Sequence, residues 1–178
     1  MKTVASFFVL LFFVVLYGHA QISSNKQLRK NSILESTSES GYSTLLQAVK
    51  AADLEQILNE DGPFTVFAPS DKAFAKMSKN KMKVLLQPEN RKELFSLLTY
   101  HMVAGNLTAS KMLLAMSRGN GKASFTTVQG NKIFASMHGL DIVLTDQFGN
   151  SAKITTADFN QRNGVIHKID AVILPEML

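Results

Sequence analysis

The 178-residue chain contains no cysteine. That excludes disulfides, a thiol nucleophile, thiolate metal ligands and a cysteine-linked lipid anchor. Apolar runs are short as well. The longest, Val4–Leu16 (VASFFVLLFFVVL), falls below the roughly 20 residues that a bilayer-spanning helix needs. There is no internal repeat and no His-Glu-x-x-His or His-x-His spacing for a metal. No Gly-x-Ser-x-Gly elbow is present either. The chemistry that sequence motifs usually announce is therefore missing, and no cofactor and no metal are expected.

The N-terminus has a different character. Lys2 precedes the apolar run, and Gly18-His19-Ala20 supplies small residues at −3 and −1. Residues 1–20 read as a signal peptide cleaved before Gln21, which makes the product secreted, extracellular or periplasmic, and not transmembrane. Stability outside the cell must then come from burial and hydrogen bonds alone. The formal charge of +5 drops to +4 without Lys2, a mild excess that suits acidic surfaces or polysaccharides. Export argues against a nucleic acid as partner. Residues 21–40 include the serine-rich Ile22–Ser40 stretch and read as a flexible N-terminal spacer.

From Gly41 the pattern changes. Leu45, Leu46, Val49, Leu54, Ile57 and Leu58 recur at helical spacing over Tyr42–Glu60, with Ser43 as a cap near the start. A strand is expected over Phe64–Ala68, then short helices over 70–77, 80–86 and 90–100, broken at Pro88. Another helix opens at Thr108 or Ser110 and closes at Ser117–Gly121. Beyond Lys122 the period becomes two, giving strands over Ala123–Val128, Lys132–Met137, Leu140–Thr145 and Ser151–Thr155. Asn163-Gly164 predicts a type I′ turn leading into the longest strand, VIHKIDAVILP. Val165, His167, Ile169, Ala171 and Ile173 share one face of it. Helices first and strands later indicate a segregated α+β domain over residues 41–178.

Three segments in order, FTVFAPSDKAF (Phe64, Ala68, Pro69, Ser70, Asp71), Tyr100-His101, and NGVIHKIDAVILP (Asn163, Gly164, His167, Asp170, Pro175), resemble the signature of the fasciclin domain family. The resemblance implies a β-sandwich or wedge flanked by several α-helices. It implies a non-enzymatic adhesion or interaction module for a cell-surface or matrix protein or glycan. A single domain needs self-association or a second attachment to gain avidity.

The motif residues carry structural readings of their own. Ser70 or Asp71 can accept orphan N–H groups at a helix start, and Asp71 suits the helix dipole. His167, on an apolar strand face, reads as a buried neutral imidazole bonded to main chain. His138 sits exposed in a turn. In the family Tyr100-His101 has been read as a receptor contact, yet its place between an apolar helix and Met102-Val103-Ala104 predicts burial. Lys72, Lys76, Lys79, Lys81 and Lys83 form the one notable charge cluster, a candidate patch for an acidic polysaccharide or a plain solvated face. Asn106-Leu107-Thr108 is a glycosylation sequon.

Overall fold

The computed structural model describes residues 31–175; the expected signal peptide and residues 21–30 lie outside them. The first element, α1 (Ile33–Thr37), falls where a flexible spacer was expected. Ser32 caps it by accepting the Glu35 N–H at 3.1 Å, while the Glu35 carboxylate accepts the Ser32 N–H at 2.6 Å. The serines are not a solvated run. Ser36 Oγ donates to Gln161 Oε1 at 2.7 Å and Ser32 Oγ to Asn59 Oδ1 at 2.8 Å. Ile33 is fully buried. From Asn31 onward this segment belongs to the fold.

Helices α2 (Ser43–Ala51) and α3 (Glu55–Glu60) follow, and then strand β1 (Phe64–Pro69). Next come α4 (Asp71–Ala75), α5 (Lys79–Leu85), a 3-10 turn at Pro88–Asn90 and α6 (Arg91–Tyr100). Strand β2 (Met102–Ala104) and helix α7 (Ala109–Arg118) lead into β3 (Lys122–Thr126), β4 (Lys132–His138), β5 (Asp141–Thr145), β6 (Ser151–Gln161) and β7 (Gly164–Ile169).

All seven strands form one sheet in the order β2-β1-β7-β6-β5-β4-β3. Only β1 and β7 run parallel. Strand β6 carries register shifts between Ile154 and Phe159, and Asp158 adopts φ 59° there. Such irregularities bend a strand and increase its twist. Past β3, Val103 bridges Thr127 and Val128 N–H donates to Met102 O at 2.7 Å. The two edges of the sheet therefore approach each other, and the sheet is nearly a closed barrel.

Strand alternation divides the core in two. Val66, Ala68 and Ile166 pack with the helices, against Leu45, Leu94 and Leu97 among others. Phe67 and Ile169 point the other way, into a cluster with Met112 and Met116 of α7 and with Ile133, Leu144 and Ile154.

Two strand expectations need correction. The longest strand is β6, with eleven residues, whereas β7 stops at Ile169. Asp170 closes the ladder by accepting the Lys153 N–H on its carboxylate, and Val172 and Ile173 bury themselves without strand pairing. The turn between β6 and β7 is not type I′ at Asn163-Gly164. Gln161 pairs with Gly164, so the loop is Arg162-Asn163, and Asn163 does not have positive φ. Gly164, at φ +156°, is required for another reason. A Cβ there would lie 1.9 Å from the Phe64 carbonyl oxygen on β1.

Candidate functional site

The resembling segments converge around β1 and β7. At the end of β1, Ser70 caps α4 by accepting the Ala73 N–H at 3.2 Å. Asp71 reaches back to the start of α2. Its carboxylate accepts the Thr44 N–H at 2.8 Å, the Ser43 N–H at 3.3 Å and the Ser43 hydroxyl at 3.0 Å. Burial works against ionisation, but these donors outweigh it and hold the Asp71 carboxyl below the usual range. Ser43 is thus a donor to Asp71, not a cap.

Tyr100 and His101 end α6 and are both buried. Tyr100 donates its hydroxyl to Lys132 O at 3.0 Å, tying α6 to β4. Burial, with the Asp146 carboxylate nearby, pushes its phenol up to about 12. His101 Nδ1 bonds Leu97 O at 2.9 Å, and its Nε2 accepts the Ile173 N–H at 3.3 Å. Those partners specify the neutral Nδ1–H tautomer. Burial lowers the imidazole to about 4, although the Leu97 carbonyl opposes the shift.

His167 repeats the arrangement on β7, stacked on Phe67 with ring centroids 5.6 Å apart. Its Nε2 bonds Leu107 O at 2.8 Å, and its Nδ1 accepts the Asp158 N–H at 3.2 Å. Burial depresses its pKa, against the Leu107 carbonyl and the Asp158 charge. Every ring nitrogen of these two histidines is committed to main chain, so neither can serve Ser70 as a base. Among the described residues no buried side-chain polar atom lacks a partner, and no cluster of His, Asp and Glu could hold a metal.

The C-terminal motif is equally structural. Asn163 accepts the Ile33 N–H at 2.9 Å and donates to Leu58 O and Asp61 O. Phe64 pairs with Gly164, and Pro175 is buried. Asp170 is partly buried, which raises its carboxyl, but the Lys153 N–H and the Lys76 ammonium bring it below the usual range.

The lysine cluster is divided. Lys72 and Lys83 are exposed, Lys81 is half-buried, Lys76 is paired with Asp170 at 3.3 Å, and the side chain of Lys79 lies outside the described ones. Asn106 is exposed, and Thr108 of its sequon caps α7 by accepting the Lys111 N–H.

Sequence reasoning missed three residues that organise this region. Asp146, buried, accepts N–H groups from Phe148, Asn150 and Leu174. Its Asp-x-x-Gly-Asn spacing was a readable turn signal. Asp158 accepts the Ala109 N–H at 2.8 Å, and no local pattern announces it. Lys168 Nζ sits 5.1 Å from the ring centroids of both Tyr42 and Phe159, which come from distant parts of the chain.

What the motifs leave outside is the outer face of β3–β6. Lys122, Ser124, Lys132, Phe134, Asp141, Val143 and Lys153 point away from the inner cluster there, and Phe134 is 41% exposed. Lys153 pairs with Asp141 at 3.2 Å.

The fasciclin domain sequence profile matches residues 40–175. Protein sll1483 of Synechocystis sp. is 41% identical over 140 residues, covering 76% of this chain and 68% of that protein. Human periostin is 29% identical over 134 residues, 75% of this chain but only 15% of periostin. A solved FAS1 domain pair from the insect cell adhesion molecule fasciclin I superposes with a TM-score of 0.73 at 21% identity. That match covers 83% of this chain and 52% of the solved one and establishes the shared fold.

Proposed function

The chain belongs to the fasciclin domain family, and from that premise we propose that it is an exported, non-enzymatic adhesion or interaction module. Its partner is a cell-surface or matrix protein. One observation carries the reading. Ser70, Asp71, Tyr100, His101, Asn163 and His167 all spend their polar atoms on main-chain or cap hydrogen bonds. The motif therefore builds a rigid scaffold, and recognition is left to the outer surfaces. Likeness to periostin and to an insect adhesion molecule supports the same reading.

Export rests on residues 1–20, with cleavage before Gln21. No helix among the described residues is long and apolar enough to cross a membrane. Intact-mass measurement of the material outside the cytoplasm should give a chain starting at or near Gln21.

The deciding experiment coats beads with the folded mature chain and counts their retention on host cells. Beads carrying the heat-unfolded chain serve as the reference. Equal retention of the two would sink the proposal. A second reading makes the partner an acidic polysaccharide. It is favoured by Lys72 and Lys83, which are exposed and have no carboxylate in ion-pair reach among the described residues.

A further inference from the structure

The outer face of β3–β6 is largely exposed, with Lys122, Ser124, Lys132, Phe134 and Lys153 open to solvent. Helix α7 packs on β3 and β4 from the inside, through Met112 and Met116. On the outside the strands present a regular polar lattice. Ser124 on β3, Phe134 on β4, Thr145 on β5 and Ser151 on β6 form one cross-strand row. Lys122, Ser136, Val143 and Lys153 form the next. Lys132 lies two residues from Phe134 on the same strand, and its neighbour across β3 is Thr126.

We propose that this face binds an acidic polysaccharide, with the Phe134 ring as a stacking platform and Lys122 and Lys132 as the groups that pair with its carboxylates. The inference rests on the glycan reading given above but relocates it from the α4–α5 lysines to the sheet.

Three features support it. First, an exposed phenylalanine among serine, threonine and lysine offers an apolar plane for the C–H face of a sugar ring and hydroxyls for its rim. Secondly, the spacing fits a chain of sugars. Adjacent strands lie about 4.8 Å apart and alternate residues about 7 Å, so four strands span roughly 14 Å. Lys122 is a diagonal neighbour of Phe134, about 7–8 Å away, and Lys132 is equally close along β4. Both ammonium groups therefore reach carboxylates on the sugar over the ring or on its neighbours. Thirdly, the charge is complementary to a polyanion. Asp141 is the one carboxylate among the named positions of this face, and Lys153 already neutralises it, which leaves Lys122 and Lys132 for a ligand.

As the outside of a nearly closed barrel the face is open and convex, which favours a polymer over a small molecule. On such an open surface each sugar contributes little. Affinity comes from several weak contacts along one chain.

The test measures binding of the mature protein to immobilised polygalacturonate, with neutral dextran as the reference, across a range of salt. Binding to polygalacturonate but not dextran is expected, weakening steeply as salt rises. Lys122→Glu with Lys132→Glu should reduce it about tenfold or more, and Phe134→Ala about fivefold. All three positions are exposed, and unchanged thermal unfolding of the variants would show that the fold is intact. Lys72→Glu with Lys83→Glu is the control and should change binding less than twofold, within the small effect of rim charges. If the control abolishes binding and the sheet variants do not, this inference is overturned and the helical lysine face is the glycan site. No binding by the unsubstituted protein overturns both glycan readings and leaves the bead-adhesion result standing on its own. If Phe134→Ala instead converts a dimer to a monomer in sedimentation without altering polymer binding, the face is a self-association surface and the proposal fails.

Discussion

The carboxylate of Asp71, at the first position of α4, accepts the Thr44 N–H at 2.8 Å and so caps a helix that begins 28 residues earlier, at Ser43. Helix α2 has no cap of its own, because Tyr42 makes no side-chain bond there. Losing a capping acceptor typically costs about 1 kcal/mol. Asp71→Ala should therefore lower stability by about 1 kcal/mol in urea titration. Its folded-state carboxyl titrates below the unfolded value of about 3.9, so the contribution is complete above that pH and fades as pH falls through the folded value. A variant as stable as the parent at neutral pH would show that α2 needs no external cap.

Gly164 allows β1 and β7 to lie side by side. An added Cβ would meet the Phe64 carbonyl oxygen at 1.9 Å, and that atom is backbone within a parallel ladder. Gly164→Ala should cost about 3 kcal/mol, from the clash and the φ of +156° together. Gly121→Ala provides the contrast. Gly121 has φ +87° but open space around it, so only backbone strain of about 1 kcal/mol is expected. Equal losses in the two variants would mean that the close approach to Phe64 is unimportant.

Removing residues 31–40 should be far more damaging than removing residues 1–30. The shorter truncation keeps Ile33, whose replacement by alanine alone should cost about 3 kcal/mol. The longer one also strips partners from Gln161 and Asn163, which then lie unsatisfied against the core. Thermal unfolding of chains starting at Asn31 and at Gly41 would separate the two. Matching midpoints would return this segment to the status of a spacer.

This segment also shows where sequence reading succeeds and where it stops. Ser32-Ile33-Leu34-Glu35 is a capping box in plain view, but the serine-rich composition around it masked a single-turn helix too short to show a period. The longer helices were legible because Leu45, Val49, Leu94 and Leu97 repeat at helical spacing and end up buried. Alternation found β3, β4 and β5 within a residue or two. It failed on β6 beyond Thr155, where the register shifts around Asp158 break the period of two. For the candidate site, burial of His167 was readable from its strand face. Its partner Leu107, 60 residues away, was not, because only the fold brings them together.

His101 provides the sharpest test of whether the Tyr100-His101 dipeptide supports the fold or touches a partner. The imidazole sits between two backbone groups, donating from Nδ1 to Leu97 O and accepting the Ile173 N–H on Nε2. It thereby joins the end of α6 to the C-terminal segment, 72 positions apart. His101→Ala leaves the Ile173 N–H buried without an acceptor, a loss of roughly 1–3 kcal/mol at neutral pH. Acid should act on the same bond. Protonation would place a second N–H against the Ile173 N–H, so burial holds the folded-state pKa at about 4, below the unfolded 6.5. The unfolded chain then takes up a proton first. Stability falls from about pH 6.5 to about pH 4 by up to about 1.4 kcal/mol per pH unit for this residue, and levels off below that range. His167, also depressed, adds to the slope through its own histidine. In His101→Ala the share due to His101 disappears, so the variant should show a shallower acid slope than the parent. Binding to host cells, measured well below the melting temperature, should be unchanged. A variant that melts like the parent, keeps the full acid slope and yet loses cell binding would falsify the structural role and make this dipeptide the contact surface.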